Sequence, residues 1–339
     1  MSNPVTTGVR VGYNNSRTGK YNILNDFVED ISITDSAVGE GDNVDITIED
    51  DERKMLHDYY PGADDMIICT IYLSDPEAGR TGVIGNNSFH LDQFGYSDYP
   101  SKMTLRGVCI PKNSTFAKTP QTKTWQNITL ESIIWKICSK YGLSLRFEPG
   151  SFNPTIVKSE QSNATDLSYI YSLCQTYGNG MKIYSDKLVV FAEETYEKKA
   201  AVRTIGHRDI LDGSFSARFN LTRQYTGYKY EYDDSSGTHW IKGKGFAISP
   251  EIIISVGQCD NDRDGVLKGQ AKVNEANRDL QIINFEIMGD PKMVSTATFN
   301  LSGFGGLDGK YYINKTVNKF SASGGFTQEI EARKIQQRL

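Results

Sequence analysis

The chain has 339 residues, with 42 acidic and 37 basic side chains, four histidines and a net charge of −5. That length is about twice a typical domain, so two or three units with their own hydrophobic cores are expected. The two charge signs are interleaved, which argues against a phosphate-backbone binder, because such proteins gather Lys and Arg on one face; sequence-specific nucleic acid is therefore not an expected partner.

Residues 1–111 alternate apolar and polar side chains over four to eight positions between clusters of Gly, Asn and Asp, which predicts short strands. Residues 9–13, 31–34, 44–48, 89–94 and 103–110 fit this pattern. Residues 66–72 are apolar at nearly every position, which predicts a strand covered on both faces. Residues 51–59 alone have helical character, and that stretch stops before Pro61. The first unit therefore reads as a β sandwich or barrel.

Residues 111–120 hold two prolines and little periodicity, marking a linker or domain crossing. The period then changes. Leu130, Ile133, Ile134, Ile137, Cys138 and Tyr141 form the stripe of an amphipathic helix, with Thr129 as N-cap and Gly142 in the left-handed position after its end. Leu167, Ile170, Tyr171, Cys174 and Tyr177 form a second stripe closed by Gly178. Both helices carry the pattern I-[WY]-x-[IL]-C-x-x-Y-G. The first leads to a strand at 143–147 and the second to a hairpin of 181–184 and 188–191 around Ser185 and Asp186, which makes this segment a small α+β module. From about residue 200 strands return at 214–220, 225–232, 239–241, 293–301, 311–317 and 326–330, and a helix at about 266–281 interrupts them.

Candidate chemistry is sparse. Residues 260–265 read Asp-Asn-Asp-Arg-Asp-Gly, placing acids at positions 1, 3 and 5 as a calcium loop does, but the bidentate Glu required at position 12 is Ala271 here. A solvated acidic turn capping the next helix is the expected alternative. His57, His90, His207 and His239 lie in separate segments without metal-site spacing, and Gly303 to Gly306 lacks the Lys-Ser/Thr of a phosphate loop. Carboxylate pairs at Asp64/Asp65, Glu193/Glu194 and Asp233/Asp234 could serve a glycosidase only if two faced one sugar across a fixed gap. Cys69, Cys109, Cys138, Cys174 and Cys259 are odd in number and show no CxxC spacing, so neither a disulfide framework nor a zinc site is expected, and the thiols suit a reducing cytoplasm. The amino terminus has no basic stretch leading into an apolar run, and no apolar run is long enough for a membrane helix, so neither a signal peptide nor a membrane span is expected. No catalytic, cofactor-binding or metal residue is assigned.

The order of these pieces resembles the late control D family of tail proteins, the hub proteins of contractile-tail baseplates. The likeness rests on Thr129 to Gly142 with its Tyr-Gly end, on Glu160 to Leu167 reading as the family's polar cap, on Tyr177-Gly178 and Lys187 to Phe191, and on Gly289-Asp290-Pro291, Gly309 to Ile313 and Ser323 to Thr327 near the end. It covers most of 120–339, whereas 1–111 match in strand pattern only. The resemblance implies a mainly β, α+β fold: a tail-tube-like β-barrel at 1–117, an α+β module at 118–198 and a second such barrel with one long helix at 199–339. It implies a non-enzymatic structural hub, a homotrimeric ring that adapts a six-fold tail tube to a three-fold spike around a channel. The implied partners are the tail-tube protein, the central spike protein and other baseplate proteins, with a tape-measure protein as a further contact. The implied location is the virion tail baseplate, assembled in the bacterial host cytoplasm. Some relatives carry a fused spike or lysozyme, and those activities are expected in other subunits. A peptidoglycan-degrading or carbohydrate-binding tail enzyme and a distal-tail protein of a non-contractile particle are the competing readings.

Overall fold

The computed structural model describes residues 5–39, 41–110, 115–221 and 224–339. The first part of the linker, 111–114, lies outside them. The amino-terminal unit holds β1 (Thr6–Asn15), β2 (Lys20–Ile23), β3 (Val28–Ser36), β4 (Asn43–Glu49), β5 (Met66–Asp75), β6 (Arg80–Ser97) and β7 (Lys102–Val108). The module holds β8 (Gln121–Thr129), α1 (Leu130–Lys140), β9 (Ser144–Phe147), β10 (Thr155–Ala164), α2 (Asp166–Thr176), β11 (Asn179–Tyr184), β12 (Lys187–Ala192) and α3 (Glu193–Glu197). The remainder holds β13 (Thr204–Ile205), β14 (Ser216–Phe219), β15 (Gly227–Asp234), β16 (Gly237–Lys242), β17 (Ile253–Cys259), α4 (Asp262–Arg278), β18 (Gln281–Met288), β19 (Thr298–Leu301), β20 (Gly309–Ser321) and β21 (Gly325–Lys334). The architecture is mainly β.

One thirteen-stranded sheet joins both ends of the chain in the order β14-β18-β21-β20-β3-β4-β7-β6-β5-β1-β2, with β19 also on β20 and β13 on β19. Two long strands are each shared between neighbours. β20 pairs with β19 through Gly309 to Tyr312 and with β3 through Lys315 to Ser321. β6 pairs with β5 up to His90 and with β7 from there to Ser97. Alternation puts one face of each strand inward, and two cores result. One gathers Ile31, Val44, Ile46, Ile67, Phe89 and Leu105, and the other Ile283, Phe285, Phe299, Tyr311 and Ile330. Where β20 passes between them the interior turns polar. Thr316, Asn318 and Gln328 are fully buried; Gln328 donates to Asn318 Oδ1 at 2.7 Å and to the Met293 carbonyl at 3.1 Å, and Asn318 donates to the Ile33 carbonyl at 3.1 Å.

The structure corrects several expectations. Residues 66–72 are covered on one face only: burial alternates along β5, and Ile68 and Tyr72 face outward. Residues 51–59 hold a single 3-10 turn, Lys54–Leu56. Of the polar stretch 160–167, Thr165 is the cap of α2, while 160–164 belong to a strand, β10, paired antiparallel with β8. β15, β16 and β17 stand apart from the large sheet as a three-stranded sheet covered by α4, with its own core around Tyr228, Tyr230 and Val273. α4 begins at Asp262, earlier than periodicity suggested, because Gly265 is a helical residue and not a turn. A Cβ on Gly265 would lie 2.1 Å from the Tyr230 ring, and one on Gly269 would lie 2.0 Å from Tyr228. The helix lies flat on the tyrosine ladder because these two positions lack side chains.

The module helices match their expected form. Thr129 accepts from the Ser132 amide at 3.3 Å and Thr165 from the Ser168 amide at 3.2 Å, while Gly142 and Gly178 take φ of +68° and +71°. β11 and β12 form the expected hairpin. Ser185 and Asp186 both have positive φ, the conformation that matches the twist of two antiparallel strands.

Candidate assembly interface

Three ionic or polar clusters hold the module between the two ends of the chain. The β11–β12 turn touches β6: Ser185 Oγ accepts from the Ser88 amide at 3.3 Å, and His90 Nε2 lies 3.2 Å from Asp186 Oδ1. Next to it, Lys182 of β11 projects into a cavity of about 350 Å3 between the units. Its ammonium meets Asp35 of β3, Asp42 Oδ1 at 3.3 Å and Ser295 Oγ at 3.0 Å. Burial pushes Lys182 down, but the two carboxylates outweigh that and hold it above the ordinary lysine range. Burial, reinforced by Asp35 and opposed by Lys182, pushes Asp42 up to about 7.

The third cluster is at α3. Glu193 and Glu197 are buried against three arginines. Arg333 Nη2 lies 3.2 Å from Glu193 and 2.7 Å from Glu197, Arg338 Nη2 lies 3.0 Å and 2.6 Å from the same pair, and Arg278 reaches Glu193 at 3.4 Å. Burial alone would raise both glutamates, yet the guanidinium groups bring them below the usual carboxylate range. Neither cluster was visible in the sequence. Lys182 occupies the outward position of an alternating strand, and Arg333 and Arg338 lie about 140 residues from their partners.

The large sheet presents a second surface. Among the described residues positions 93–97 of β6 pair with β7 alone, while 80–90 continue the sheet onto β5, and β14 pairs with β18 alone, so β14 and the end of β6 are two unpaired edges. Apolar side chains stand at each: Phe94 at one, Phe219 and Leu221 at the other, all exposed. The outward face between them contains a depression of about 600 Å3 whose lining mixes charged side chains such as Asp45, Arg106 and Lys319 with apolar ones such as Phe94 and Phe320. Its charges pair across strands. Lys319 meets Glu329, Lys315 stands opposite Glu331, and Arg106 lies 3.8 Å from Asp45.

Most of the residues singled out for chemistry have structural partners. Asn261 caps α4 by accepting from the Asp264 amide at 3.0 Å, Asp264 takes Lys268 at 2.6 Å, and Asp262 accepts from the Tyr230 hydroxyl at 2.7 Å. The acidic run caps α4 and forms its first turn. His207 stacks on Phe304 with centroids 3.8 Å apart, and His239 stacks on Tyr232. Asp65 is buried and accepts from Tyr13, from Ser16 and from the Gly62 amide at 2.7 Å, whereas Asp64 faces solvent. Glu193 points into the arginines while Glu194 pairs outside with Lys198. All five cysteines are buried, and burial pushes the Cys109 and Cys138 thiols up to about 12, which keeps them protonated. Among the described residues no three His, Cys, Asp or Glu side chains are grouped to hold a metal, and no helix is long and apolar enough to cross a membrane.

No protein-family model and no curated protein sequence matches the chain. Solved structures do. A tail protein of Neisseria meningitidis MC58 superposes with a TM-score of 0.68 at 11% identity, covering 96% of this chain and 97% of that one. The 43 kDa tail protein of prophage MuSo2 from Shewanella oneidensis gives 0.65 at 13%, covering 97% of each. The E. coli c3393 protein, a type VI secretion component with structural similarity to the T4 bacteriophage tail proteins gp27 and gp5, gives 0.57 at 11%, covering 92% of this chain and 74% of that one. Identity this low speaks to the fold, and the fold of this chain is that of phage tail proteins and their type VI secretion counterpart.

Proposed function

We propose that the chain is the structural, non-enzymatic hub of a phage or phage-like contractile-tail baseplate. Three copies close a ring around a channel, with the tail-tube protein on one side and the central spike protein on the other. The units are 1–117, 118–198 and 199–339. The observation that carries the reading is that the large sheet has two unlike unpaired edges, β14 and residues 93–97 of β6, seven strand steps apart. Unlike edges join head to tail, and a head-to-tail contact closes into a ring when its rotation allows. Such joining also pairs edges that would otherwise invite aggregation. The outward face, with its charges paired across strands, then lines the channel. Native mass measurement of the purified chain should find three copies per particle. A species that stays single at high concentration would overturn the ring, and lysis of peptidoglycan by the chain alone would overturn the non-enzymatic reading.

A further inference from the structure

The module contains the same unit twice. β8-α1-β9 and β10-α2-β11 align without gaps at a spacing of 36 positions, with their key residues in register: Asn127 and Asn163, Thr129 and Thr165, Trp135 and Tyr171, Cys138 and Cys174, Gly142 and Gly178. Their conformations match too. Asn127 and Asn163 both have φ of +46°, each threonine caps its helix, and each Tyr-Gly pair ends it.

The two copies differ in what covers them. On α2 the stripe through Tyr171, Gln175 and Gly178 is occupied by the rest of the chain. The Tyr171 ring lies 3.0 Å from where a Cβ on Gly39 would be, Gln175 donates to Glu275 of α4 at 2.8 Å, and Ala271 of α4 lies 3.4 Å from the Cβ position of Gly178. The equivalent stripe on α1 runs through Trp135, Ser139 and Gly142. Trp135 is 58% exposed, and among the described residues no atom lies within 4 Å of the Cβ position of Gly142. A tryptophan is the side chain that gains most from being covered, and it commonly anchors protein contacts. Lys136, exposed beside it, adds a positive charge to that face.

We propose that this stripe of α1 is a docking site for a helix from another protein of the tail particle. That helix meets α1 as α4 meets α2, with a small residue against Gly142 and a carboxylate reaching Lys136, since the Ser139 hydroxyl already donates to the Trp135 carbonyl at 2.8 Å. The tail reading enters only in placing the partner within the particle. In particles assembled from the full chain carrying Trp135→p-benzoylphenylalanine, irradiation should join it to one different tail protein, with the attachment point in a helix. Attachment to a second copy of this chain, attachment to a non-helical segment, or no attachment would overturn the site. Trp135→Ala and Lys136→Glu chains should keep the parent's native mass and lose at least ten-fold of that cross-linked partner from purified particles. Partner retention in both variants, or a changed native mass for Trp135→Ala, would overturn it. A single-copy parent would count against the ring alone, since the cross-link is read independently.

Discussion

At Lys182 one ammonium serves two carboxyl groups, Asp35 and Asp42, in the cavity between the units. The Asp42 carboxyl, ordinarily near 3.8, sits at about 7 because burial disfavours its charged form. Between those values the native chain holds a proton that the unfolded chain has released. The contribution of this group to stability is therefore full below the lower value and is lost as pH rises through about 7. Glu193 and Glu197 behave oppositely: their depressed values give stability that is present above the ordinary glutamate range and lost as pH falls through their native values. Urea unfolding near pH 5.5 and near pH 8 should show a lower midpoint at the higher pH, and Asp42→Asn should remove most of that difference. Parallel curves for parent and variant would assign the titration elsewhere. Gln328 offers a second test. Replacing it by Leu strands the Asn318 oxygen and the Asp290 amide, and an unmet buried polar group costs about 1–3 kcal/mol, readable as a lower urea midpoint at unchanged slope.

At the scale of elements, the twin caps make a paired prediction. Thr129→Ala and Thr165→Ala should each cost about 1 kcal/mol, because each removes the same acceptor from the same orphan amide. Gly269→Ala should cost more than a helix-propensity argument allows, since alanine favours a helix by about 1 kcal/mol over glycine. Its Cβ would meet the Tyr228 ring and lift α4 from its sheet. Faster proteolysis at 225–280 would reveal that separation. α1 and α2 could be read from the sequence because an apolar stripe of period 3.6 and a closing glycine leave little choice. β8 and β10 could not. They form a two-stranded ribbon that buries few residues, chiefly Trp125, Ile156 and Gln161, so no alternation marks them. The start of α4 was misread for a related reason: Gly265 looks like a turn until the tyrosine that needs the space is placed against it.

At the scale of the molecule, the interface was the least legible part. The pairing of β20 with β3 joins residues almost 300 positions apart, and no local pattern specifies it. That pairing also puts the two unpaired edges, β14 and the end of β6, on one sheet, which is what the proposed ring requires. The two cores are expected to melt as one, because β20 supplies side chains or hydrogen bonds to both. Calorimetry should show a single main transition whose measured enthalpy equals the van't Hoff value, and two resolved transitions for the two cores would refute the coupling. β20 also has a mechanical consequence. A load placed along one end of this strand has to slide its whole row of hydrogen bonds at once, not part them one by one. A chain joined this way passes a sudden pull or push from one core to the other with little give, as the proposed place in a tail would require.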